Sequence, residues 1–229
     1  MRAAIFDLGN TLIHTERTGP FRQRLEELGV ERSSQEIQDA FDFSDKHFMK
    51  NYPGELGQDP KDFYMKYLDL MLAYLHILEV SKEELYRNIF EKSPPRSVWV
   101  PYEETVPFLT ELRRRGARVG LLTNWDPGAR DLLARLDLTR FFDSIVVSSE
   151  IQSEKPARKG FLQSLDELGI PPREAIYVGD NYYDDVVGAN QVGMRAALLN
   201  RSSFQGEHMA GDYVDIHSLM DLLVYFSGK

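Results

Sequence analysis

Carboxylate, hydroxyl and amine side chains stand at, or a few residues after, the ends of four apolar runs in this sequence. They are Asp7, Thr123, Lys155, Asp180, Asp184 and Asp185. Carboxylate oxygens are hard ligands that suit Mg²⁺. A carboxylate can also attack phosphorus to form an aspartyl phosphate, and a cation together with a lysine would offset the repulsion between the two anions. The set therefore predicts a phosphoryl-transfer site: Asp7 and Asp180 bind Mg²⁺, while Thr123 and backbone N–H groups bind phosphoryl oxygens.

From about residue 103, strand-like runs alternate with helical ones. After a first strand at residues 3–7, the predicted strands are 119–123, 145–148, 175–178, 195–199 and 213–214. The predicted helices are 104–115, 127–136, 158–168, 184–192 and one that begins at 217. This alternation predicts an α/β fold, a Rossmann-like parallel sheet with helices on both faces. Ligands bind beyond the carboxyl ends of such strands, so we expect the polar side chains there to share one rim.

The segment between the first strand and residue 95 has a helical rhythm instead. Apolar residues recur at helical spacing in 21–28, 37–41, 63–74 and 85–90. Ser33 and Ser81 stand where helices would begin, and prolines break the chain after residue 93. We therefore predict an α/β core domain at 1–16 and 95–229, with an inserted α-helical domain at 17–94.

Composition narrows the class of protein. The chain has 229 residues, a formal net charge of -9 and no cysteine. The acidic balance argues against a nucleic-acid or membrane-surface binder, because those surfaces are themselves anionic. The lack of cysteine excludes disulfides and thiolate metal sites and fits a reducing cytosol or a heat-adapted protein. We expect no signal peptide, no transmembrane segment and a cytoplasmic location.

Each candidate side chain also has an ordinary structural explanation. An aspartate such as Asp7 at a strand end often forms a turn or a helix cap, and Lys155 could be a solvated surface lysine. Asp184 and Asp185 could be first-turn acids that the helix dipole favours. These explanations are plausible one at a time, but chance alone would rarely put all of these residues at strand ends.

Four short motifs resemble, in order, those of the haloacid dehalogenase-like hydrolase superfamily. They are FDLGNTL, LLTNW, SEKP and VGDNYYDDVVGA, and together they span nearly the whole chain. The inserted helices resemble the cap domain of the phosphatase and dehalogenase branches of that superfamily. The resemblance implies a hydrolase whose helical cap closes over the rim, excludes water and sets specificity.

The resemblance implies roles for residues of the first three motifs. Asp7 matches the nucleophile and a metal ligand, and Gly9 would lend its backbone carbonyl to the metal. Thr123 matches the phosphate-binding hydroxyl, and Asn124 resembles a residue beside the substrate. Lys155 matches the lysine that steadies both the nucleophile and the phosphate.

The fourth motif would supply the remaining acids. Asp180 matches a direct Mg²⁺ ligand, and Asp185 matches a further acid that reaches the metal directly or through water. Asp184 is expected to be only a neighbour of these ligands. The implied cofactor is Mg²⁺, and the implied partner is a small phosphorylated metabolite. We expect no nucleic-acid or membrane partner, and a monomer or a homodimer.

Gly9 departs from the pattern of the family's phosphatases, which have a second aspartate two residues after the nucleophile. That aspartate protonates the leaving alcohol and later activates water, and such general acid–base help is worth about 10²–10⁴ in rate. Three explanations stay open. The acid comes from elsewhere, such as His14, the cap or the substrate; the substrates have good leaving groups; or the chain is not chiefly a phosphatase.

Two alternative functions follow. A 2-haloacid dehalogenase also lacks the second acid, because halide needs no proton to leave, yet it needs no Mg²⁺. Asp180 and Asp185 near Asp7 would repel one another without a cation, which favours the phosphatase. A non-catalytic binding protein on the same fold would bind Mg²⁺ or phosphate mimics without turnover.

The cap would contact the organic part of the substrate. Its candidate contact residues are Phe21, Arg22, Phe43, His47, Phe48 and Tyr52. The aromatic residues of 63–74 lie at helical spacing, so we expect them to pack in the interior of the cap.

Overall fold

The computed structural model of the chain describes residues 1–52, 61–92, 98–201 and 209–226, and these residues form two compact units. The α/β unit contains Met1–His14, Val100–Arg201 and residues 209–226, and the helical unit contains the described residues of Thr15–Trp99. The predicted domain boundaries at 16/17 and 94/95 stay predictions, since the second one lies outside the described residues.

The α/β unit is built on a six-stranded sheet in which every pairing is parallel. In chain order the strands are β1 (Ala3–Phe6), β2 (Ile13–Thr15), β3 (Trp99–Pro101), β4 (Arg118–Thr123), β5 (Ser144–Val147), β6 (Ala175–Gly179), β7 (Arg195–Leu199) and β8 (Tyr213–Ile216). The sheet has the order β5-β4-β1-β6-β7-β8, which confirms the predicted parallel α/β fold. The short strands β2 and β3 form a separate sheet that the sequence patterns did not predict.

Strand β1 lies at the centre of the sheet and is fully buried. Neighbouring side chains of a strand point to opposite faces. Ile5 belongs to the same apolar cluster as Phe161, whereas the ring of Phe6 meets that of Phe108 edge to face, 5.8 Å between centroids. Because both faces are covered, the strand has an unbroken apolar sequence rather than an alternating one.

Helices connect the strands. In chain order they are α1 (Thr18–Glu27), α2 (Ser34–Asn51), α3 (Lys61–Tyr74), α4 (Lys82–Tyr86), α5 (Thr105–Arg114), α6 (Ala129–Arg135), α7 (Ser148–Ile151), α8 (Arg158–Leu168) and α9 (Val187–Gln191). Helix α8 has its predicted bounds, because Gly169 adopts a left-handed φ of 63° and ends it. Within the described part of the chain, none of the helices combines the length and apolar character needed to cross a bilayer.

Two predicted helices differ in form from the expectation. The helix predicted at 184–192 begins as a π-helical turn over Tyr182–Val186 and continues as α9. The side chain of Asn181 caps this turn by accepting hydrogen bonds from the N–H groups of Tyr183 and Asp184. The predicted C-terminal helix is a 3₁₀ helix over Leu219–Phe226. Apolar spacing does not distinguish these helix types from an α-helix, so the sequence could not predict them.

The helical unit packs α1 to α4 around an aromatic core. Ser33 and Glu36 form a reciprocal capping box that begins α2, which agrees with the predicted helix start. Phe63 and Tyr67 of α3 are buried in this core, and Tyr64 and Tyr74 are partly buried and pack against it. The prediction that these aromatic residues pack in the interior is thus correct for two of them and correct in part for the other two.

Candidate active site

Three adjacent strands deliver polar side chains to one edge of the sheet. β1 lies between β4 and β6, and the parallel register brings their carboxyl ends side by side. Asp7 follows β1, Thr123 ends β4 and Asp180 follows β6. The N–H of Asp7 donates to the carbonyl oxygen of Val178 at 2.8 Å, which continues the pairing past the end of the strand. Asp7 and Thr123 are both buried.

Lys155 is buried and lies between two acids. Its ammonium Nζ donates to Asp7 Oδ1 at 2.7 Å, to Asp185 Oδ1 at 2.7 Å and to the Tyr177 hydroxyl at 3.0 Å. A lysine has three ammonium donors, and all of them are used here. The alternative of a solvated surface lysine is therefore wrong.

The side chain of Asn124 holds the backbone of Lys155. The N–H of Lys155 donates to Asn124 Oδ1 at 2.8 Å, and Asn124 Nδ2 donates to the Lys155 carbonyl oxygen at 3.2 Å. These two bonds tie the end of β4 to the loop that carries the lysine. The family resemblance implies that Asn124 lies beside the substrate, and in the structure its amide also has this structural role.

Tyr177 was missed by the sequence analysis. It lies within β6 and is fully buried, and its ring packs against Phe161 with 4.9 Å between centroids. Its hydroxyl donates to the Leu122 carbonyl oxygen at 2.8 Å and accepts from Lys155. Burial raises the pKa of this tyrosine well above its usual value, although Lys155 opposes the shift. A tyrosine inside an apolar strand run needs a partner for its hydroxyl, and that requirement was the available signal.

Asp185 is held from two sides. Its Oδ1 accepts from Lys155, and its Oδ2 accepts from the N–H of Asn181 at 2.9 Å. A Cβ atom at Gly179 would overlap Asp185 Oδ2, so the glycine makes room for this carboxylate. The site therefore depends on a position without a side chain at the end of β6.

Asp180 and Asp184 complete the cluster of acids. Asp180 Oδ1 accepts from the hydroxyl of Thr11 at 3.2 Å, a contact that the sequence analysis did not predict. Asp184 Oδ2 accepts from Asn181 Nδ2 at 2.9 Å. Its other oxygen is buried and has no hydrogen-bond partner among the described residues. An unpartnered buried carboxylate oxygen is expensive unless a donor or a cation reaches it.

A comparison with known protein families agrees with the family resemblance described under the sequence analysis. Residues 1–193 match the family model described as haloacid dehalogenase-like hydrolase. The chain belongs to this hydrolase family. The match covers most of the chain, and the resemblance inferred from the sequence is confirmed.

Relatives of this hydrolase include named phosphatases. It is 27% identical over 230 residues to a glyceraldehyde 3-phosphate phosphatase of Methanopyrus kandleri, covering 90% of this chain and 86% of the relative. A solved phosphatase of the family from Thermococcus onnurineus has a TM-score of 0.62 and 25% identity, covering 100% of this chain and 99% of that one. A 2-haloacid dehalogenase from Pseudomonas syringae pv. Tomato has a TM-score of 0.56 at 21% identity, covering 98% and 97%, which shows a shared fold.

Buried acids outnumber buried bases in the site of this hydrolase. Burial raises the pKa of Asp180 well above its usual value, and repulsion from Asp7 and Asp185 raises it further. Burial also raises the pKa of Asp184 to about 7, although Lys155 opposes the shift. Burial would lower the pKa of Lys155, but its acidic partners outweigh that effect and raise it, so the lysine stays charged. One lysine therefore faces several acids, and an added cation would relieve their repulsion.

The chemistry of these donors fits a divalent cation such as Mg²⁺. The excess of carboxylates and the unpartnered oxygen of Asp184 both favour a hard cation. Among the described residues, no three acidic or imidazole side chains form a metal-binding group by themselves. Further oxygens would have to come from a backbone carbonyl, such as that of Gly9, and from water or phosphate. Mg²⁺ is commonly bound in this way, through one or two carboxylates with several waters and substrate oxygens.

The turn after Asp7 adopts its left-handed conformation at Asn10, with φ 52°, and not at Gly9. Asparagine tolerates that conformation better than most residues. The N–H of Leu12 donates to the carbonyl oxygen of Leu8 at 2.9 Å and closes the turn. Backbone strain therefore does not explain why Gly9 stands in place of an aspartate.

His14, the named candidate for a replacement acid, is part of an aromatic stack. Its ring lies 4.4 Å from that of Tyr102, with 24° between the two planes. The guanidinium of Arg201 lies 3.8 Å from the centroid of the same tyrosine ring. This arrangement agrees with a structural role for the histidine.

The predicted substrate contacts in the helical unit have different surroundings. Phe21 and Phe48 belong to the buried core. His47, Phe48 and Tyr52 also line a pocket of about 230 Å³, whose walls include Lys66. None of these observations tests a substrate contact, so their role stays a prediction.

Proposed function

We propose that this hydrolase is a Mg²⁺-dependent phosphatase of small phosphomonoesters that works through a phosphoenzyme at Asp7. The main support is the buried Lys155 ammonium, which donates hydrogen bonds to both Asp7 and Asp185. Further acids lie beside these two. This arrangement provides a carboxylate at a fixed position, a permanent positive charge and an unneutralised group of oxygen ligands. Those are the components that attack on a phosphate dianion requires.

In the proposed reaction, an oxygen of Asp7 attacks phosphorus, the P–O bond to the alcohol breaks, and the alcohol departs with the electron pair and takes up a proton. Water then attacks the aspartyl phosphate and releases phosphate, which regenerates the carboxylate. Lys155 holds Asp7 in place and balances charge, and the hydroxyl of Thr123 donates to a phosphoryl oxygen. When bound, Mg²⁺ would neutralise negative charge on the phosphate.

The proposed Mg²⁺ ligands are the carboxylates of Asp7 and Asp180 and the backbone carbonyl of Gly9. Asp185 was expected to be the further acid, but both of its oxygens accept hydrogen bonds from the protein. Asp184 has the unpartnered oxygen. We therefore assign Asp185 to holding Lys155, with any reach to the metal through water, and include Asp184 as a candidate for the outer ligand shell.

The proposed substrate is a small phosphorylated metabolite. Support comes from the relative named glyceraldehyde 3-phosphate phosphatase, which aligns along most of both chains. Because Gly9 cannot protonate a leaving alcohol, substrates with acidic leaving groups should react fastest unless another group supplies the proton. A substrate panel should therefore contain triose phosphates, other phosphorylated metabolites and aryl phosphates.

The test is hydrolysis of para-nitrophenyl phosphate and of that panel, with and without Mg²⁺. Wild-type protein should release phosphate only with the metal, and Asp7→Asn should abolish release. The control is Asp143→Asn, whose carboxylate accepts from the N–H of Val119 near the opposite end of the sheet. Equal phosphate release by wild type and Asp7→Asn would refute the proposal.

Gly9 supports a second candidate function, hydrolysis of a 2-haloacid through an ester on Asp7. That reaction needs no second acid, because halide leaves without a proton. Incubation with 2-chloropropionate in the presence of a chelator separates the two. Halide release under those conditions, together with no phosphate release in the panel, would favour the dehalogenase.

A further inference from the structure

Arg201, two residues past β7, makes three different contacts. Its Nη1 forms an ion pair with Glu104 Oε1 at 2.6 Å, and its Nη2 donates to the carbonyl oxygen of Thr11 at 3.1 Å. The face of the guanidinium lies over the ring of Tyr102 at 3.8 Å. A planar guanidinium can do all three at once, and a lysine ammonium cannot.

Thr11 connects this arginine to the acids of the site. It lies in the turn that follows Asp7 and is fully buried. Its carbonyl accepts from Arg201, and its hydroxyl donates to Asp180 at 3.2 Å. A shift of this residue would therefore move the donor that orients Asp180.

Glu104 is itself fixed, so it can anchor the arginine. The hydroxyl of Ser218 donates to Glu104 Oε2 on the side away from Arg201. Burial alone would raise the pKa of Glu104, but the hydrogen bonds from Ser218 and Arg201 outweigh it and lower the pKa. The glutamate therefore stays ionised and holds the Arg201 guanidinium through the ion pair.

We propose that Arg201, anchored by Glu104, is a positioning residue that holds the turn after Asp7 so that Thr11 orients Asp180 for the metal. The inference rests on the proposed function, because it assigns Arg201 a role at the same site. Partners that orient a ligand from behind typically contribute about 10–100-fold in metal affinity or activity.

The test compares Arg201→Met with Arg115→Met, a matched control. Arg115 also pairs with a glutamate, Glu111, and donates to a backbone carbonyl, that of Leu223. The side chains of Arg201 and Arg115 are 24% and 25% exposed, respectively. Arg115 precedes the amino end of β4, at the opposite edge of the sheet. Both substitutions should destabilise the fold by similar amounts in thermal unfolding.

Mg²⁺ affinity, measured by isothermal titration calorimetry, separates the two variants. Arg201→Met should weaken Mg²⁺ binding about tenfold and lower kcat for para-nitrophenyl phosphate more than it raises KM, while Arg115→Met should change neither. Arg201→Lys keeps the charge but loses the fork and the stacking. Its Mg²⁺ affinity and kcat should therefore resemble those of Arg201→Met. It replaces the methionine variant in the test if that variant does not fold.

Thr11→Val tests the route of the effect. If Arg201 acts through Thr11, the double variant Thr11→Val with Arg201→Met should lose little more affinity than either single variant. Unchanged Mg²⁺ affinity in both Arg201 variants, or additive losses in the double variant, would overturn the inference and leave the phosphatase proposal standing. Wild type that binds Mg²⁺ without hydrolysing any phosphate would refute the phosphatase proposal, and the calorimetric comparison would still decide the role of Arg201.

Discussion

The helical unit and the α/β unit each bury a charged cluster that includes a tyrosine, and the two clusters differ in charge balance. In the helical unit, Arg17 donates to both carboxylate oxygens of Asp45, and the Tyr67 hydroxyl donates to the same acid. Asp45 outweighs the effect of burial and raises the pKa of Arg17, so the arginine stays charged. The half-buried Asp42 is a second acid in this cluster, and Lys46 is a second base beside it. Two bases therefore balance two acids, and the cluster needs no further ion.

The cluster of the α/β unit has the same kinds of groups but no such balance. Lys155 bonds to Asp7 and Asp185, and the further acids Asp180 and Asp184 stand beside them. Buried ion pairs occur in many folds for structural reasons, so their presence alone says little about function. The proposed active site is distinguished by its excess of negative charge at the carboxyl edge of a parallel sheet.

Removing the buried base of each cluster should produce the largest difference in phosphatase activity between the two clusters. We expect Lys155→Met to lower phosphatase activity by about 10²–10³, because Asp7 loses its partner and the phosphate loses a charge. Arg17→Met should leave activity within a factor of about two, since its acid partner, Asp45, is not one of the site residues. Steady-state kinetics with para-nitrophenyl phosphate checks both.

Both substitutions should also destabilise the protein, since each leaves buried acid without its base. We expect a loss of about 3–5 kcal/mol for Lys155→Met and less for Arg17→Met, whose partner keeps the tyrosine bond. Circular dichroism of each variant would show that lost activity is not lost folding. Full activity in folded Lys155→Met would erase the distinction between the clusters.

Adding an acid to the cluster that is already acidic is the second test. Gly9→Asp should raise hydrolysis of alkyl phosphates by about 10²-fold, the lower end of what general acid catalysis supplies. Activity on para-nitrophenyl phosphate, whose leaving group needs little protonation, should change far less. Gly9→Asn is the matched control, because it has nearly the same shape and cannot give up a proton. An equal gain in both variants would contradict a general-acid explanation.

Mg²⁺ should stabilise the protein through only one of the clusters. At a concentration of about 100 Kd, a ligand of the folded state adds about 2.7 kcal/mol, which raises Tm by roughly 5–10 °C in a chain of this size. Asp180→Asn should remove this shift, whereas Asp45→Asn should retain it at a lower starting Tm. Differential scanning fluorimetry across a Mg²⁺ series measures the effect, and a shift that survives in Asp180→Asn would place the cation elsewhere.

The two tyrosines offer the smallest expected effect. Tyr177→Phe and Tyr67→Phe should each reduce the free energy of unfolding by about 1–3 kcal/mol, because each removes a buried hydrogen bond. Only Tyr177→Phe should also lower kcat, since its hydroxyl accepts from Lys155. Urea unfolding with parallel kinetics would show this, and equal kinetic effects in the two variants would argue against a special role for Tyr177.

The main residues of the proposed site could be predicted from the sequence because the ends of the buried strands could be predicted. The apolar run before Asp7 and the run before Asp180 both predict buried parallel strands, and parallel strands bring their carboxyl ends to one edge. Helix α8 was predicted to the residue because Gly169 marks its end. Convergence of Asp7, Lys155 and Asp180 follows from that topology.

The sequence did not predict which side chains contact one another across the fold, nor the type of one helical turn. The Tyr177 hydroxyl reaches the Leu122 carbonyl of β4 because β6 and β4 flank β1 in a particular register. The contacts of Thr11 and Arg201 join residues that are far apart in the chain. The π-helical turn that carries Asp184 and Asp185 depends on local hydrogen bonding rather than on apolar spacing. The first two features require knowing which side chains the fold brings together, and the third requires knowing the local hydrogen bonds.

The fixed ammonium of Lys155 has a consequence for recognition. A free lysine side chain samples many rotamers, and ordering it opposes association by up to about 2 kcal/mol. Here the contacts with Asp7, Asp185 and Tyr177 impose that order during folding. An incoming anion meets a preorganised electrostatic field instead of recruiting a mobile charge, so its entropy of binding contains little contribution from this side chain.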